Sequence, residues 1–413
     1  MNYAQLISVP NLRLAWGRIT TARNLQHKRF FRHLYRAYEL GLDDNLRLLH
    51  RKLRATWLPS VPQKVYMAKP SGLLRPITLL PLEDQVVLQA IANLFAERLR
   101  ERRAKVEGGA VFSNCLEKDP KSIFFLRDWR ITYKSFIRKL EQHLNHGFRW
   151  VANFDLAAFY DTISHEGLIR GAAPRSHQGE LWDQVREWLG TWMSHPSGLP
   201  VRHSIPQGPV ASDFLAECYL LPLDERMAEG PCRYIRYVDD ICVLAKTEKG
   251  AYRGALQVEL ACRELGLIPQ SAKFKVARAK SVKEALGCLP SIAESGPNKE
   301  GEPPMTREEA ETLFRSAIGR RPLQVLDKSR ARYVLYRAPR SGKLLGWVLK
   351  LLPRHPEHID AFVAFLSNYD RLSKLEESLA DLIESQPVNH YFRCEIWQVL
   401  ARVSSLTTLK RLL

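Results

Sequence analysis

The chain has 413 residues, 45% of them hydrophobic and nine of them Trp, which excludes a largely disordered protein and asks for two or three structural units. Its 62 Lys and Arg outnumber 44 Asp and Glu, for a formal charge of +18; that excess points to a polyanion, either nucleic acid or an acidic membrane surface. Seven cysteines without paired Cys-x-x-Cys spacing predict reduced thiols, and no apolar run approaches the ~20 residues of a membrane span. A soluble cytoplasmic protein without a secretory leader is expected.

Residues 1–60 read as a basic helical extension. Leu12, Trp16 and Ile19, then Phe31, Leu34, Tyr35 and Tyr38, recur at helical spacing with Arg and Lys between them. Residues 1–110 hold 19 Lys and Arg against 8 Asp and Glu, so most of the excess charge sits at the front, where it offers a track for phosphates. Pro59 and Pro62 break this pattern. Gln63 to Leu79 then reads as strand, Pro-Ser-Gly turn and strand, a hairpin with Lys69 at its tip and Arg75 on its return arm. Cations placed this way can fold over a triphosphate, because phosphoryl transfer is mostly positioning and charge neutralisation. A solvated surface hairpin explains them equally well.

Leu82 to Leu99 is a strong helix with an acidic first turn and a basic tail, expected as core scaffolding. Irregular chain over 111–128 leads to a helix from Thr132 to His146. Trp150 to Phe154 is an apolar strand that delivers Asp155 at its end, where an unpaired carboxylate is costly unless it binds metal. A helix should follow from Thr162 or Ser164, with Asp161 as a helix-terminal cap. Residues 171–198 give a polar loop and a Trp-rich helix (Trp182, Trp188, Trp192), read as packing.

Pro206-Gln207-Gly208-Pro209 is a turn feeding a long apolar helix, with Ser212 expected as its cap. Gly208 lets backbone approach a ligand, and Gln207 offers both a donor and an acceptor. Arg233 to Ala245 forms two Tyr-, Ile- and Val-rich strands joined by a tight turn carrying Asp239 and Asp240. Asp-Asp at a hairpin tip is usually a solvated turn. On a rigid hairpin, however, two adjacent carboxylates repel unless a cation lies between them and a partner, and Asp oxygens suit Mg2+. A helix over 250–265 and a strand bearing Lys273 follow, with Leu286-Gly287 closing the unit. Residues 291–306 are linker-like, and 307–413 read as helical with a basic patch over 328–337.

Asp155 and Asp239 can meet on adjacent antiparallel strands, where a carboxylate pair can clamp two Mg2+ ions, with Mn2+ as a substitute. One ion would activate a 3′-hydroxyl and the other hold a triphosphate. Lys273 would then donate a proton to the leaving pyrophosphate.

The ordered motifs Lys-x-Ser-Gly-x-x-Arg-Pro-Ile (69–77), Phe-Asp-x4-Tyr-Asp (154–161), Pro-Gln-Gly (206–208), Tyr-Val-Asp-Asp (237–240), Lys273 and Leu-Gly (286–287) resemble those of a reverse transcriptase over roughly residues 10–290. The resemblance implies an α+β right-hand polymerase: fingers over 61–150, an antiparallel-sheet palm over 151–290, and a helical thumb over 307–413. It implies Asp155, Asp239 and Asp240 as catalytic carboxylates and metal ligands, with the Leu156 carbonyl as a further ligand. Tyr160 would be the gate that excludes a 2′-hydroxyl, and Gln207 and Gly208 would line the incoming dNTP, with Lys69 and Arg75 on its phosphates.

Within the family, the basic N-terminus and Arg-Pro-Ile…Glu-Asp-Gln-Val-Val are similar to group II intron-like bacterial enzymes. A Gly-Phe-Arg-Pro-Gly-like segment is replaced by Val111-Phe-Ser-Asn-Cys115. No zinc-binding endonuclease or RNase H pattern follows, so the pattern looks most like the stand-alone, defence-associated (unknown group) reverse transcriptases. That implies an RNA template, often non-coding, a cDNA product and no membrane; the oligomeric state is open. Two alternatives stand beside this reading: a template-independent or protein-primed DNA polymerase on the same fold, and a maturase-like RNA-binding protein. Asp239, first after the strand, is expected to be the main ligand, with Asp240 as a flanking charge.

Overall fold

The computed structural model describes residues 2–21, 25–69, 73–173, 179–194, 201–271, 274–287, 305–319, 321–370, 372–385 and 390–412. The chain divides into two compact units, one of residues 1–63 and 78–289, the other of 64–77 and 290–413. The 61–150 segment expected as fingers is therefore shared between them. The linker expected over 291–306 lies outside the described residues up to 304.

Six strands are described: β1 (Gln63–Ala68), β2 (Leu74–Leu79), β3 (Trp150–Phe154), β4 (Arg233–Tyr237), β5 (Asp240–Ala245) and β6 (Lys275–Arg278). The first unit is built on the antiparallel sheet β4-β5-β3-β6. Its strands alternate between two cores, as period-2 side chains must when both faces are covered. Tyr234, Ile241, Val243, Ala152 and Phe154 enter the larger core with helices Val210–Ala228 and Glu248–Glu264. Ile235, Cys242, Leu244 and Val151 enter a smaller one with Phe136, Leu140 and Leu144 of helix Trp129–Asn145.

Helix Leu82–Val106 runs through the larger core, buried on every side from Asp84 to Ala96. That is the scaffolding role its composition suggested, over a longer span than the sequence marked. Leu12, Trp16 and Ile19 are buried as expected. Arg18 on the same helix departs from the solvated basic face: it is 3% exposed and donates to Asn93 Oδ1 at 2.6 Å and to the Pro120 carbonyl at 2.7 Å. Trp182, Trp188 and Trp192 are core residues. Trp192 Nε1 also donates to Asp84 Oδ1 at 2.7 Å, beside the Ser60 amide at 2.9 Å. Burial raises the Asp84 carboxyl above its ordinary range despite these donors.

The second unit packs helices Arg307–Ala317, Lys328–Arg337, Gly342–Leu351, Ile359–Leu366, Ser373–Ser385 and His390–Val403 around one core, against which Val65 and Met67 of β1 also pack. Among its described residues from Arg307 onward the regular elements are helices, beside one isolated Ile318–Val325 bridge. Part of its basic patch is structural. Arg332 makes a two-pronged bond to Asp360, at 2.7 and 2.6 Å. The described cysteines are unpaired thiols, and among the described residues no helix is long and apolar enough to cross a membrane.

Replacing Trp192 by Phe keeps a large ring but removes the donor to a buried carboxyl. The loss expected is about 1–3 kcal/mol of unfolding free energy, read from urea denaturation midpoints. An unchanged midpoint would show that Asp84 does not depend on this bond.

Candidate active site

β4 and β5 pair with Tyr237 opposite Asp240, so the turn between them has only two central residues, Val238 and Asp239. Val238 has φ +57, a conformation that β-branched residues avoid. Positive φ at the first central residue alone is the pattern of a type II′ turn, one of the two that match strand twist. The turn is tied at both ends of Val238. Its N–H donates to Ser113 Oγ at 2.8 Å, and its carbonyl accepts from Arg236 Nη1 at 2.6 Å.

Beneath the turn lies an ionic network out of water. Arg236 is 0% exposed and donates through Nε and Nη2 to both oxygens of Asp224, at 2.8 and 2.6 Å, and through Nη2 to Glu217 Oε2 at 2.7 Å. Glu217 Oε1 accepts from Ser113 Oγ at 2.5 Å, and Arg103 Nη1 stands 3.6 Å from Oε2. Burial would raise the Glu217 carboxyl, but the Arg236 and Arg103 guanidinium groups overcome it and hold it below its ordinary value. Burial would likewise lower Arg236; Asp224 and Glu217 outweigh that and raise it.

β3 pairs with β5 with Phe154 opposite Ile241. One step further along lie Asp155, the residue that follows β3, and Asp240, the first residue of β5. Asp239 is the second central residue of the turn and directly precedes Asp240. All three aspartates are half-buried. Beyond Asp155, the Gln270 amide donates to the Asp155 carbonyl at 2.7 Å and the Ala157 amide to the Ile268 carbonyl at 2.8 Å. These bonds flank the Leu156–Pro269 bridge, so Leu156 turns its own carbonyl away from that segment. Its side chain is buried, leaving the carbonyl as its available ligand group.

Tyr160 lies in a short helix, Phe159–Thr162, entered through Ala158 at φ +48. Its carbonyl accepts from the Ile205 amide at 3.1 Å, which brings the Pro-Gln-Gly turn alongside it. Gly208 has φ +126, a conformation that requires glycine, and the Gln207 carbonyl accepts from the Thr78 amide at 2.9 Å. The Tyr160 hydroxyl donates to Asp213 Oδ1 at 2.7 Å. Burial, then the Asp213 charge, raise the Tyr160 phenol well above its usual value. Burial pushes the Asp213 carboxyl up to about 7.

Two expected caps are not present. Helix Val210–Ala228 begins after Pro209 without a side-chain cap, and Ser212 lies inside it with its buried Oγ unpartnered. Asp161 is a member of the short helix rather than its cap, and Ser164 caps the following helix, His165–Ala172. Sequence reading also passed over Ser113, Asp213, Glu217, Asp224 and Arg236. Only the spacing 213, 217 and 224, one face of a mostly apolar helix, could have flagged the acids.

Lys69 and Arg75 belong to the second unit. The Lys69 amide closes the hairpin onto the Leu73 carbonyl at 2.7 Å, and the Arg75 side chain is exposed near Lys328. Lys273 lies outside the described residues. In the second unit His355, Glu357 and His358 bring three ligand atoms within 4.8 Å of one another. The Val325 amide donates to His355 Nε2 at 3.1 Å, however, so Nδ1 carries the proton and gives it to Glu357 at 3.0 Å. That histidine presents a proton, not a lone pair, and the cluster is a hydrogen-bonded helix start.

The aspartate trio differs. Hard oxygen donors with a backbone carbonyl beside them match a divalent ion such as Mg2+ in donor chemistry.

A model of the reverse transcriptase (RNA-dependent DNA polymerase) family matches residues 67–310. No curated protein matches the chain. Among solved structures the chain is similar to a telomerase from Candida albicans in complex with a fragment of telomeric RNA, at 10% identity and a TM-score of 0.39, over 86% of this chain and 68% of that one. It is also similar to apo telomerase from Candida tropicalis, at 10% identity and a TM-score of 0.36, over 87% and 67% of the two chains.

The Asp213 carboxyl gives a pH signature. Unfolded, it ionises near pH 4; folded, at about 7. Between those values the folded state holds more protons, so this group's contribution to stability falls as pH rises from about 4 to about 7 and is flat above. Urea midpoints of Asp213→Asn should lack that fall relative to wild type. Parallel profiles would place the Asp213 titration elsewhere.

Proposed function

The chain belongs to the reverse transcriptase family, and on that premise we propose that Asp155, Asp239 and Asp240 hold the divalent ions of its polymerase site. The chain is an RNA-directed DNA polymerase with the mixed helix and antiparallel-sheet fold of a right-hand polymerase. The carrying observation is the β3–β5 register, which sets Asp155 beside the Asp239–Asp240 turn from 84 positions away in sequence.

Bound Mg2+ would supply charge for a 3′-hydroxyl to attack and for a pyrophosphate to leave. The chain's own residues do the rest. The three carboxylates and the Leu156 carbonyl offer the oxygen donors. Tyr160, its hydroxyl pinned by Asp213, presents a fixed ring to the sugar of an incoming dNTP, and a fixed ring excludes a 2′-hydroxyl better than a mobile one. Gln207 and Gly208, carried next to Tyr160, line the same nucleotide. The roles of Lys69 and Arg75 on the triphosphate, and of Lys273 as proton donor to pyrophosphate, rest on motif order alone.

The finer reading is a group II intron-like, stand-alone enzyme that copies a dedicated non-coding RNA in the cytoplasm as part of anti-phage defence. The basic N-terminal segment together with Arg75-Pro-Ile and Glu83-Asp-Gln-Val-Val supports the group II intron-like part, and the rest of this reading is by likeness to the stand-alone class alone. Sequencing the nucleic acid that co-purifies with the protein should return one dominant RNA. A broad sample of cellular transcripts would overturn that reading. Product formed without any RNA would favour the template-independent alternative.

Primer extension on an RNA template with Mg2+ and dNTPs should be abolished in Asp239→Asn and Asp155→Ala, with residual synthesis in Asp240→Asn. The expectation rests on Asp239 being the second central residue of the turn that follows β4, with Asp240 already the first residue of β5. Equal losses at 239 and 240 would show that the two carboxylates share one role.

A further inference from the structure

We infer that Ser113 and Arg236 are positioning residues for the Asp239–Asp240 turn, jointly holding Val238 in its left-handed conformation, with Glu217 and Asp224 serving to hold Arg236. The inference rests on the reading of Asp239 as a residue of the polymerase site.

A β-branched residue at φ +57 is strained and persists only where its surroundings impose it. Those surroundings are unusually complete here. The Val238 N–H has an acceptor in Ser113 Oγ at 2.8 Å, and its carbonyl a charged donor in Arg236 Nη1 at 2.6 Å. Both peptide groups of the strained residue are therefore fixed. Ser113 is itself directional, because its proton goes to Glu217 Oε1 at 2.5 Å, which leaves its lone pairs for the Val238 amide.

Ser113 reaches the turn by a local pairing. Val111 bridges in parallel to Arg236, with the Arg236 amide on the Ala110 carbonyl at 2.8 Å and the Phe112 amide on the Arg236 carbonyl at 3.2 Å. This adds a short stretch of chain to the outer edge of β4 and sets Ser113 beside Val238. The stretch falls within 110–113.

The network below is hard to explain as a stability device alone. Arg103, Glu217, Asp224 and Arg236 are all 0–1% exposed. Apolar side chains of similar volume usually stabilise as much as such buried ion sets, or more. What apolar side chains cannot supply is a rigid N–H aimed at the Val238 carbonyl. The planar guanidinium, fixed on two of its nitrogens by Asp224 and Glu217, supplies it with the third. A turn held in advance pays no reorganisation when substrate and ions arrive.

The experiment is a mutant cycle on the full-length chain. Ser113→Ala, Val238→Gly and the double variant are compared with wild type, using poly(rA) with annealed oligo(dT), dTTP and a Mg2+ titration. Glycine adopts φ +57 without strain, so a turn containing it needs less holding. In the valine background Ser113→Ala should lower kcat about 30-fold and raise the Mg2+ midpoint several-fold, with KM for dTTP changing less than about 3-fold. In the Val238→Gly background the same substitution should lower kcat by no more than about 5-fold. Equal losses in the two backgrounds, or no loss in either, would overturn the proposal, since a role confined to satisfying Glu217 is blind to residue 238.

If Ser113→Ala does not fold, the melting temperature of Val238→Gly alone decides. Strain held in place predicts a value at or above wild type, and a fall overturns the proposal. That readout needs no activity. A wild-type chain inactive on this template would therefore count against the polymerase assignment without touching the positioning of the turn.

Discussion

Arg236 lies wholly out of water, with two carboxylates of helix Val210–Ala228 on its guanidinium and the carbonyl of a strained valine at its tip. Asp213, Glu217 and Asp224 occupy one face of that helix and reach in different directions. Asp213 takes the Tyr160 hydroxyl; Glu217 and Asp224 take Arg236; Glu217 also takes Ser113. One buried helix thus ties Tyr160 to the turn that carries Asp239 and Asp240. Removing any single charge from such a set leaves its partner unpaired in a medium that cannot solvate it. The set is accordingly all-or-none, and the geometry above it inherits that rigidity.

Rigidity here answers an electrostatic problem. Two adjacent carboxylates on one turn, with a third across the strand, repel one another until cations arrive. A flexible turn would relieve the repulsion by splaying. A two-residue turn pinned at both peptide groups cannot. The strain at Val238, the φ of +48 at Ala158 and the φ of +126 at Gly208 all sit within this one region, as expected where backbone conformation serves a site rather than the fold. The predicted drop in the Ser113→Ala rate and the Asp213 pH signature probe the two ends of this arrangement through different observables.

The legible parts of the sequence were those with local causes. Trp182, Trp188 and Trp192 read as packing and are core; Gly208 sits where only glycine is comfortable; the strands flanking Asp239 and Asp240 carry β-branched and aromatic side chains and pair as expected. The misreadings share a cause as well. Ser212 and Asp161 have the composition of caps but not the position, because Pro209 and Ala158 begin their helices. Arg18 looked like part of a solvated basic face, yet three acceptors from distant segments take it into the interior. Glu217 and Asp224 read as minor interruptions of an apolar helix, since their partner lies on a strand with no local relation to them.

By itself the sequence determined the family and the ordered motifs, because those depend on residue type and on order along the chain. Only the tertiary structure decided that these aspartates come together: the antiparallel β3–β5 register brings the end of β3, which Asp155 follows, beside the Asp239–Asp240 turn. It also decided that the β1–β2 hairpin of Lys69 and Arg75 packs with the C-terminal helices through Val65 and Met67. The physical reason is the same in each case. Strand register, burial of charge and the partners of a buried guanidinium are set by contacts between residues far apart in the chain, and no local pattern encodes them.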